Sequence, residues 1–153
     1  MANTYTQLYI HIVFAVEHRD RLIRSFFKDE LMKYMTGIIQ NKGNKLLALN
    51  TMPDHIHLFL GLNPKNAICD LVKNIKVSST NFINEKNWLK GKFHWQEGYG
   101  AFSYSQSQID NVVKYIINQQ KHHKRISFRE EYNKMLKAFN MKYEDAYLFK
   151  YFD

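Results

Sequence analysis

The chain is short of several residues and patterns that would narrow its chemistry at once. One cysteine in 153 residues, Cys69, excludes an internal disulfide and a cysteine-rich zinc site, and it reads as a small core residue. Two prolines and six glycines, with no repeat or low-complexity run, leave no visible linker, so residues 1–153 are expected to form one domain. That length buries roughly two-thirds of the unfolded surface. No apolar run approaches the roughly 20 residues needed to span a bilayer. Met1 to Gln7 is polar rather than basic-then-apolar, so a cytoplasmic location with no membrane partner is expected. No GxxxxGK[ST] loop occurs, which removes the usual nucleoside-triphosphate cradle. Acidic residues are also scarce, 14 against 22 Lys and Arg. The net charge of +8 attracts polyanions, and nucleic acid is the leading partner.

Aromatic residues are abundant: ten Tyr and eleven Phe, many beside basic residues. Leu8–Val16 is short, β-branched and aromatic, and predicts a buried strand. Phe26–Gln40 carries Phe27, Leu31, Tyr34, Met35, Ile38 and Ile39 at helical spacing and stops at Gly43. Lys45–Thr51 and His55–Leu60 predict a hairpin about Met52-Pro53-Asp54. A helix from Asn66 buries Ile68, Leu71, Val72, Ile75 and Phe82, with Lys73 and Lys76 off the stripe. Gly98–Tyr104 predicts a fourth strand and Ser107–Lys121 a third helix, begun by a Ser107–Asp110 capping box. The tail from Ser127 predicts a further helix through Phe128, Tyr132, Leu136 and Phe139. The order βαββαβ implies an α+β chain: a ferredoxin-like, RRM-like antiparallel sheet with helices on one face and a C-terminal helical tail.

Two patterns carry chemistry. Residues i and i+2 of a strand share a face, so His55 and His57 stand side by side while Ile56 and Leu58 point away. Adjacent imidazoles make a two-nitrogen metal site, or simply two polar residues on a wet face. In the third helix, Ile109, Val112, Val113, Ile116 and Ile117 form the apolar stripe. Tyr115, Gln119, Asn111 and His122 fall together on a polar side. The basic run Lys121-His-His-Lys124-Arg125 follows.

MPDHIHLF on a strand and YIINQ on a late helix together resemble the single-tyrosine HUH transposases of small insertion sequences, including relatives associated with repetitive extragenic palindromes. HIVFAVEHRDRLI, LVKNIKVSSTNFIN, HWQEGYGAFSYS and the tail FREEYNKMLKAFNMKYEDAYLF are similar to members of that family, so the likeness spans nearly the whole chain. It implies a divalent cation, Mg²⁺ or Mn²⁺, held by His55, His57 and Gln119, with Tyr115 as nucleophile. It further implies cleavage and rejoining of single-stranded DNA at hairpin-marked ends through a 5′-phosphotyrosine, in a homodimer whose tyrosine helix acts in trans. Glu17 stands where many members have a basic residue, leaving Arg19 and Arg21 as DNA-contact candidates in that turn. Lys73, Lys76, Lys121, Lys124 and Arg125 are candidates for the strand's backbone.

The competing reading is a non-catalytic single-strand-binding module using sheet aromatics, with the histidines incidental; a metal hydrolase lacks further ligands in the sequence. Trp88 and Trp95 read as packing residues rather than stacking platforms, and His11 as a structural histidine near the active face.

Overall fold

The structure is a computed structural model that describes residues 3–122 and 126–141, without the side chains of Arg19 and His122. Its elements are β1 (Tyr9–Ala15), α1 (Ser25–Asn41), β2 (Lys45–Met52), β3 (His55–Gly61), α2 (Ile68–Glu85), β4 (Gly100–Tyr104), α3 (Ile109–Ile117), α4 (Gln119–His122) and α5 (Phe128–Ala138). The sheet runs β2-β3-β1-β4 with every neighbouring pair antiparallel, as the ferredoxin-like reading requires.

Strand alternation divides the molecule into two layers. Ile10, Ile12 and Phe14 of β1 pair with Leu60, Leu58 and Ile56 of β3. These residues share a core with Phe27, Leu31, Met35 and Ile39 of α1 and with Leu71, Val72, Ile75 and Ile83 of α2. Each such aliphatic or aromatic side chain contributes about 1.5–3 kcal/mol by leaving water. On the opposite face, Phe59 and Ala48 pack against Val112 and Ile116 of α3. The α5 ring of Phe128 stacks on His55 at 4.0 Å. Helix α3 therefore lies with α5 on the face opposite α1 and α2, so the expectation of helices on one face holds for α1 and α2 and is corrected for α3, whose Val112 and Ile116 cover Ala48 and Phe59. Every residue of β3 from His55 to Leu60 is buried. The open aromatic sheet that an RRM-type binding module needs is absent among the described residues.

Three local features depart from the sequence expectation. The turn into α3 is boxed by Ser105 and Gln108, not Ser107 and Asp110; the Ser105 amide donates to Gln108 Oε1 at 3.3 Å. Residues 105–108 supply their own Ser-x-x-Gln pattern two residues earlier. The long helix is also interrupted at Asn118, whose φ and ψ are −94° and 22°. Asn50 Nδ2, reaching from β2, donates to the Ile116 carbonyl at 2.9 Å and takes an acceptor that a continuous helix would use itself. Cys69 is exposed rather than core, since the second position of α2 lies off the Leu71–Val72–Ile75 stripe.

Both tryptophans pack, as expected. Trp95 is buried, donates from Nε1 to Ser79 Oγ at 2.8 Å and meets Phe14 edge-on at 4.8 Å. Trp88 stacks on Phe27 at 4.5 Å. Glycine is needed at position 100, where an added Cβ would come within 2.7 Å of the Tyr132 hydroxyl; this close approach lets α5 lie on β4. Ser127 caps α5 by accepting from the Glu130 amide at 3.2 Å.

Candidate active site

The two histidines of β3 are held from behind before they are aimed. His55 Nδ1 lies 2.6 Å from Asp54 Oδ1, and His57 Nδ1 lies 2.8 Å from His11 Nε2. The His11 and His57 rings stack at 5.0 Å. Such contacts to Nδ1 fix ring orientation and leave Nε2 for a ligand. Both Nε2 atoms face the same carboxylate: Glu131 Oε1 is 3.1 Å from His57 and 3.7 Å from His55. The other carboxylate oxygen of Glu131 accepts a short hydrogen bond from the Tyr115 hydroxyl. His55, His57 and Glu131 are each at most 2 % exposed.

Four elements thus meet at one point. β3 carries the imidazoles by its two-residue alternation. α3 brings Tyr115, whose ring stands edge-on to His57 with centroids 5.9 Å apart, on the shoulder of the stripe that Val112 and Ile116 bury. β1 supplies His11. α5 supplies Glu131 from inside its own buried stripe of Phe128, Tyr132 and Met135.

Burial sets the electrostatics. It pushes the His55 imidazole down to about 4, against the opposing hydrogen bond from Asp54. It likewise drives His11 well below the usual histidine range, with neighbouring His57 adding to the effect. The Tyr115 phenol is pushed far above its ordinary value, first by burial and then by the Glu131 carboxylate; a hydrogen bond with the Gln119 side chain works the other way. At neutral pH the site therefore holds a neutral His55 and a protonated phenol leaning on a carboxylate.

The metal-site test is one of donors and charge. His55, His57 and Glu131 each offer one ligand atom, and those atoms lie within 4.8 Å of one another. Two imidazole nitrogens plus one carboxylate oxygen suit a divalent cation such as Mn²⁺ or Mg²⁺. The residues fit. Gln119, expected as a ligand, is fully buried beside them, and its amide nitrogen donates to the Tyr115 carbonyl at 3.3 Å.

Sequence reasoning brought together His55, His57, Tyr115 and Gln119 and missed Glu131 and Asp54. The signal for Glu131 was a charged residue within a helical apolar stripe, at the third position after Phe128. Among the DNA-contact candidates, Arg21, Lys73 and Lys121 are exposed. Lys76 is instead committed within the fold: its ammonium donates to the carbonyls of Gln96 and Gly98 at 2.8 Å each and sits over the Phe14 ring. Burial lowers it to about 8. The Arg19 side chain and residues Lys124 and Arg125 lie outside the described residues, as does the tail beyond residue 141.

Residues 4–120 match the family model of IS200-like transposases. The chain belongs to that family. This IS200-like transposase is 29% identical over 120 residues to the ISDra2 transposase TnpA of Deinococcus radiodurans, an alignment covering 74% of this chain and 84% of that protein. A crystal structure of a Deinococcus radiodurans protein assigned as a transposase superposes with a TM-score of 0.61 at 27% identity. It covers 76% of this chain and 94% of its own. The REP-associated tyrosine transposase, solved bound to a REP hairpin, shares the fold with a TM-score of 0.60 at 16% identity, over 81% of this transposase and 73% of that chain. Glu131 lies beyond the segment that the family model matches. Among the described residues, no helix is long and apolar enough to cross a membrane.

Proposed function

We propose that this transposase cleaves and rejoins single-stranded DNA at hairpin-marked ends, with Tyr115 as the nucleophile. The observation that carries the proposal is the meeting of the Tyr115 hydroxyl, both Nε2 atoms of the histidine pair and the Glu131 carboxylate at one buried point.

Tyr115 Oη attacks the phosphorus of a phosphodiester and passes its proton to Glu131, which already accepts the hydroxyl. The 3′-oxygen departs and takes up a proton, leaving a 5′-phosphotyrosine and a free 3′-hydroxyl. Rejoining is the same exchange in reverse, driven by a different 3′-hydroxyl. One phosphodiester replaces another, so no nucleotide triphosphate is consumed, in keeping with a chain that has no phosphate loop.

A divalent cation, Mg²⁺ or Mn²⁺, would be held by His55, His57 and Glu131, and when bound it polarises the phosphate and offsets charge developing there. Asp54 and His11 keep the imidazoles aimed. Gln119 steadies the phenol and has its amide oxygen to offer as a further donor. Arg21, Lys73 and Lys121 carry exposed positive charge for the DNA backbone. Because α3 reaches the histidines of its own chain, this reading favours cleavage in cis. A homodimer with the tyrosine helix in trans would require α3 to leave Ala48 and Phe59 of its own sheet.

The test is a denaturing gel of the protein incubated with Mn²⁺ and single-stranded DNA from the borders of its own gene. A covalent adduct is expected that disappears with EDTA and with Tyr115→Phe. An adduct that survives in the Phe variant overturns the choice of nucleophile.

A further inference from the structure

A cleft of about 480 Å³ opens between α3 and α5, and the Tyr115 ring and Glu131 line it. Tyr104 and Phe139 form an aromatic wall, their rings perpendicular at 5.4 Å. Asn111 of α3 and Lys134 of α5 stand at its exposed rim. We propose that this cleft seats one unstacked nucleobase of the strand that Tyr115 attacks, a base immediately flanking the scissile phosphate.

The inference rests on the preceding reading of Tyr115 and extends it to the neighbouring nucleotide. A phosphate within reach of the Tyr115 hydroxyl brings its own nucleoside to the same opening, since sugar and base are bonded to it. A single strand exposes base faces, and aromatic side chains hold them with little regard to sequence. The volume is within the range of small-ligand sites, roughly 300–1,000 Å³, and ample for one base. The polar groups suit the edge of a base rather than a second phosphate. Asn111 offers both a donor and an acceptor, as base edges require, while Lys134 supplies a single cation for the adjoining backbone. An apolar peptide would leave Asn111 and Lys134 without a complementary group, and a polyphosphate would find one cation, Lys134, among the lining residues.

The experiment measures binding without chemistry. Fluorescence anisotropy in EDTA compares the thymidine hexamer dT6 with a hexamer of identical backbone and charge that carries abasic sites throughout. Wild-type protein is expected to bind dT6 about tenfold or more tightly than the abasic strand. Asn111→Ala, an exposed position that leaves the core untouched, and Phe139→Ala are each expected to cut that preference several-fold while leaving affinity for the abasic strand unchanged. Circular dichroism confirms that each variant is folded. Equal wild-type affinity for the two strands overturns the proposal, as does a preference that both folded variants keep in full. The two readings fail separately. Base preference without a covalent adduct removes the nucleophile and keeps the cleft; an adduct without base preference does the reverse.

Discussion

Lowering the pH should unfold the cation-free protein earlier than its carboxylates alone would dictate, because His55 cannot accept a proton where it sits. Its imidazole is pushed from the ordinary 6.5 to about 4 by burial, with the Asp54 hydrogen bond only partly opposing. The sign follows from proton counts. Above pH 6.5 both folded and unfolded forms hold a neutral imidazole and the group contributes nothing. Between 6.5 and 4 the unfolded chain binds a proton that the fold refuses, so stability is lost as pH falls. At 1.36 kcal/mol per pH unit, the loss is about 2.5 kcal/mol at pH 4.5 and about 3.4 kcal/mol once complete. Buried His11, also held low, adds in the same direction. Against a total stability of roughly 5–15 kcal/mol, this is a large fraction. The measurement is urea unfolding in EDTA at pH 7.0 and 4.5, followed by fluorescence of Trp88 and Trp95, for wild type and His55→Gln. The difference between the two proteins should shift by about 2.5 kcal/mol across that interval. Mn²⁺ should stabilise wild type at pH 7.0, by about 2.7 kcal/mol at a hundred times its Kd. A wild-type minus variant difference that stays constant from pH 7.0 to 4.5 would refute the picture of a dry, neutral His55.

Other perturbations probe the supports of the site. Asp54→Ala removes the 2.6 Å contact behind His55 and should weaken Mn²⁺ binding about 10–100-fold by calorimetric titration; unchanged affinity would mean that packing alone orients the ring. Gly100→Ala places a methyl 2.7 Å from the Tyr132 hydroxyl and 2.9 Å from its ring. It should cost about 1–3 kcal/mol and reduce adduct formation by shifting α5, so a variant as stable and active as wild type would show that α5 docking is dispensable. An equimolar mixture of Tyr115→Phe and His57→Ala chains should form no adduct if the tyrosine serves its own chain. Recovery of activity on mixing would establish exchange of α3 between subunits.

How much of this was readable in the sequence depended on distance along the chain. The sheet, its order and the side-by-side histidines followed from two-residue alternation, which is local. Tyr115 and Gln119 shared a face by helical periodicity, also local, even though the helix breaks between them at Asn118. That break is not local at all: it depends on Asn50, 66 residues away, reaching the Ile116 carbonyl. Glu131 was hidden for the same reason. A glutamate in a helix usually faces water, and only the convergence of β3 and α3 on the far side of α5 turns this one inward, 74 residues from His57. Asp54 read as turn chemistry because Pro-Asp is a turn pair, and its neighbour His55 gave no hint that the carboxylate would curl back on it. His11 read as structural, which understates its place against His57.

The charge of the cluster explains why a carboxylate is better suited here than a second amide. Imidazoles that hold a cation through Nε2 carry no charge of their own, so with Glu131 the ligand set would sum to −1; a divalent cation held there would leave +1, which one phosphodiester would bring to zero. A neutral amide in place of Glu131 would leave +2 before the phosphate arrived and +1 after it, in a pocket where uncompensated charge is costly. Burial first, and the same carboxylate second, hold Tyr115 as a phenol. The hydrogen bond between His57 Nδ1 and His11 Nε2 suits both conditions. With Glu131 alone opposite, His57 donates from Nε2 to the carboxylate and accepts from His11; with Nε2 acting as a ligand, its proton must sit on Nδ1, and His11 Nε2 is the group in place to accept it. A strand histidine that looked merely structural therefore matches the His57 Nδ1 in either role, provided that its own proton shifts between Nε2 and a buried Nδ1 that has no hydrogen-bond partner among the described residues.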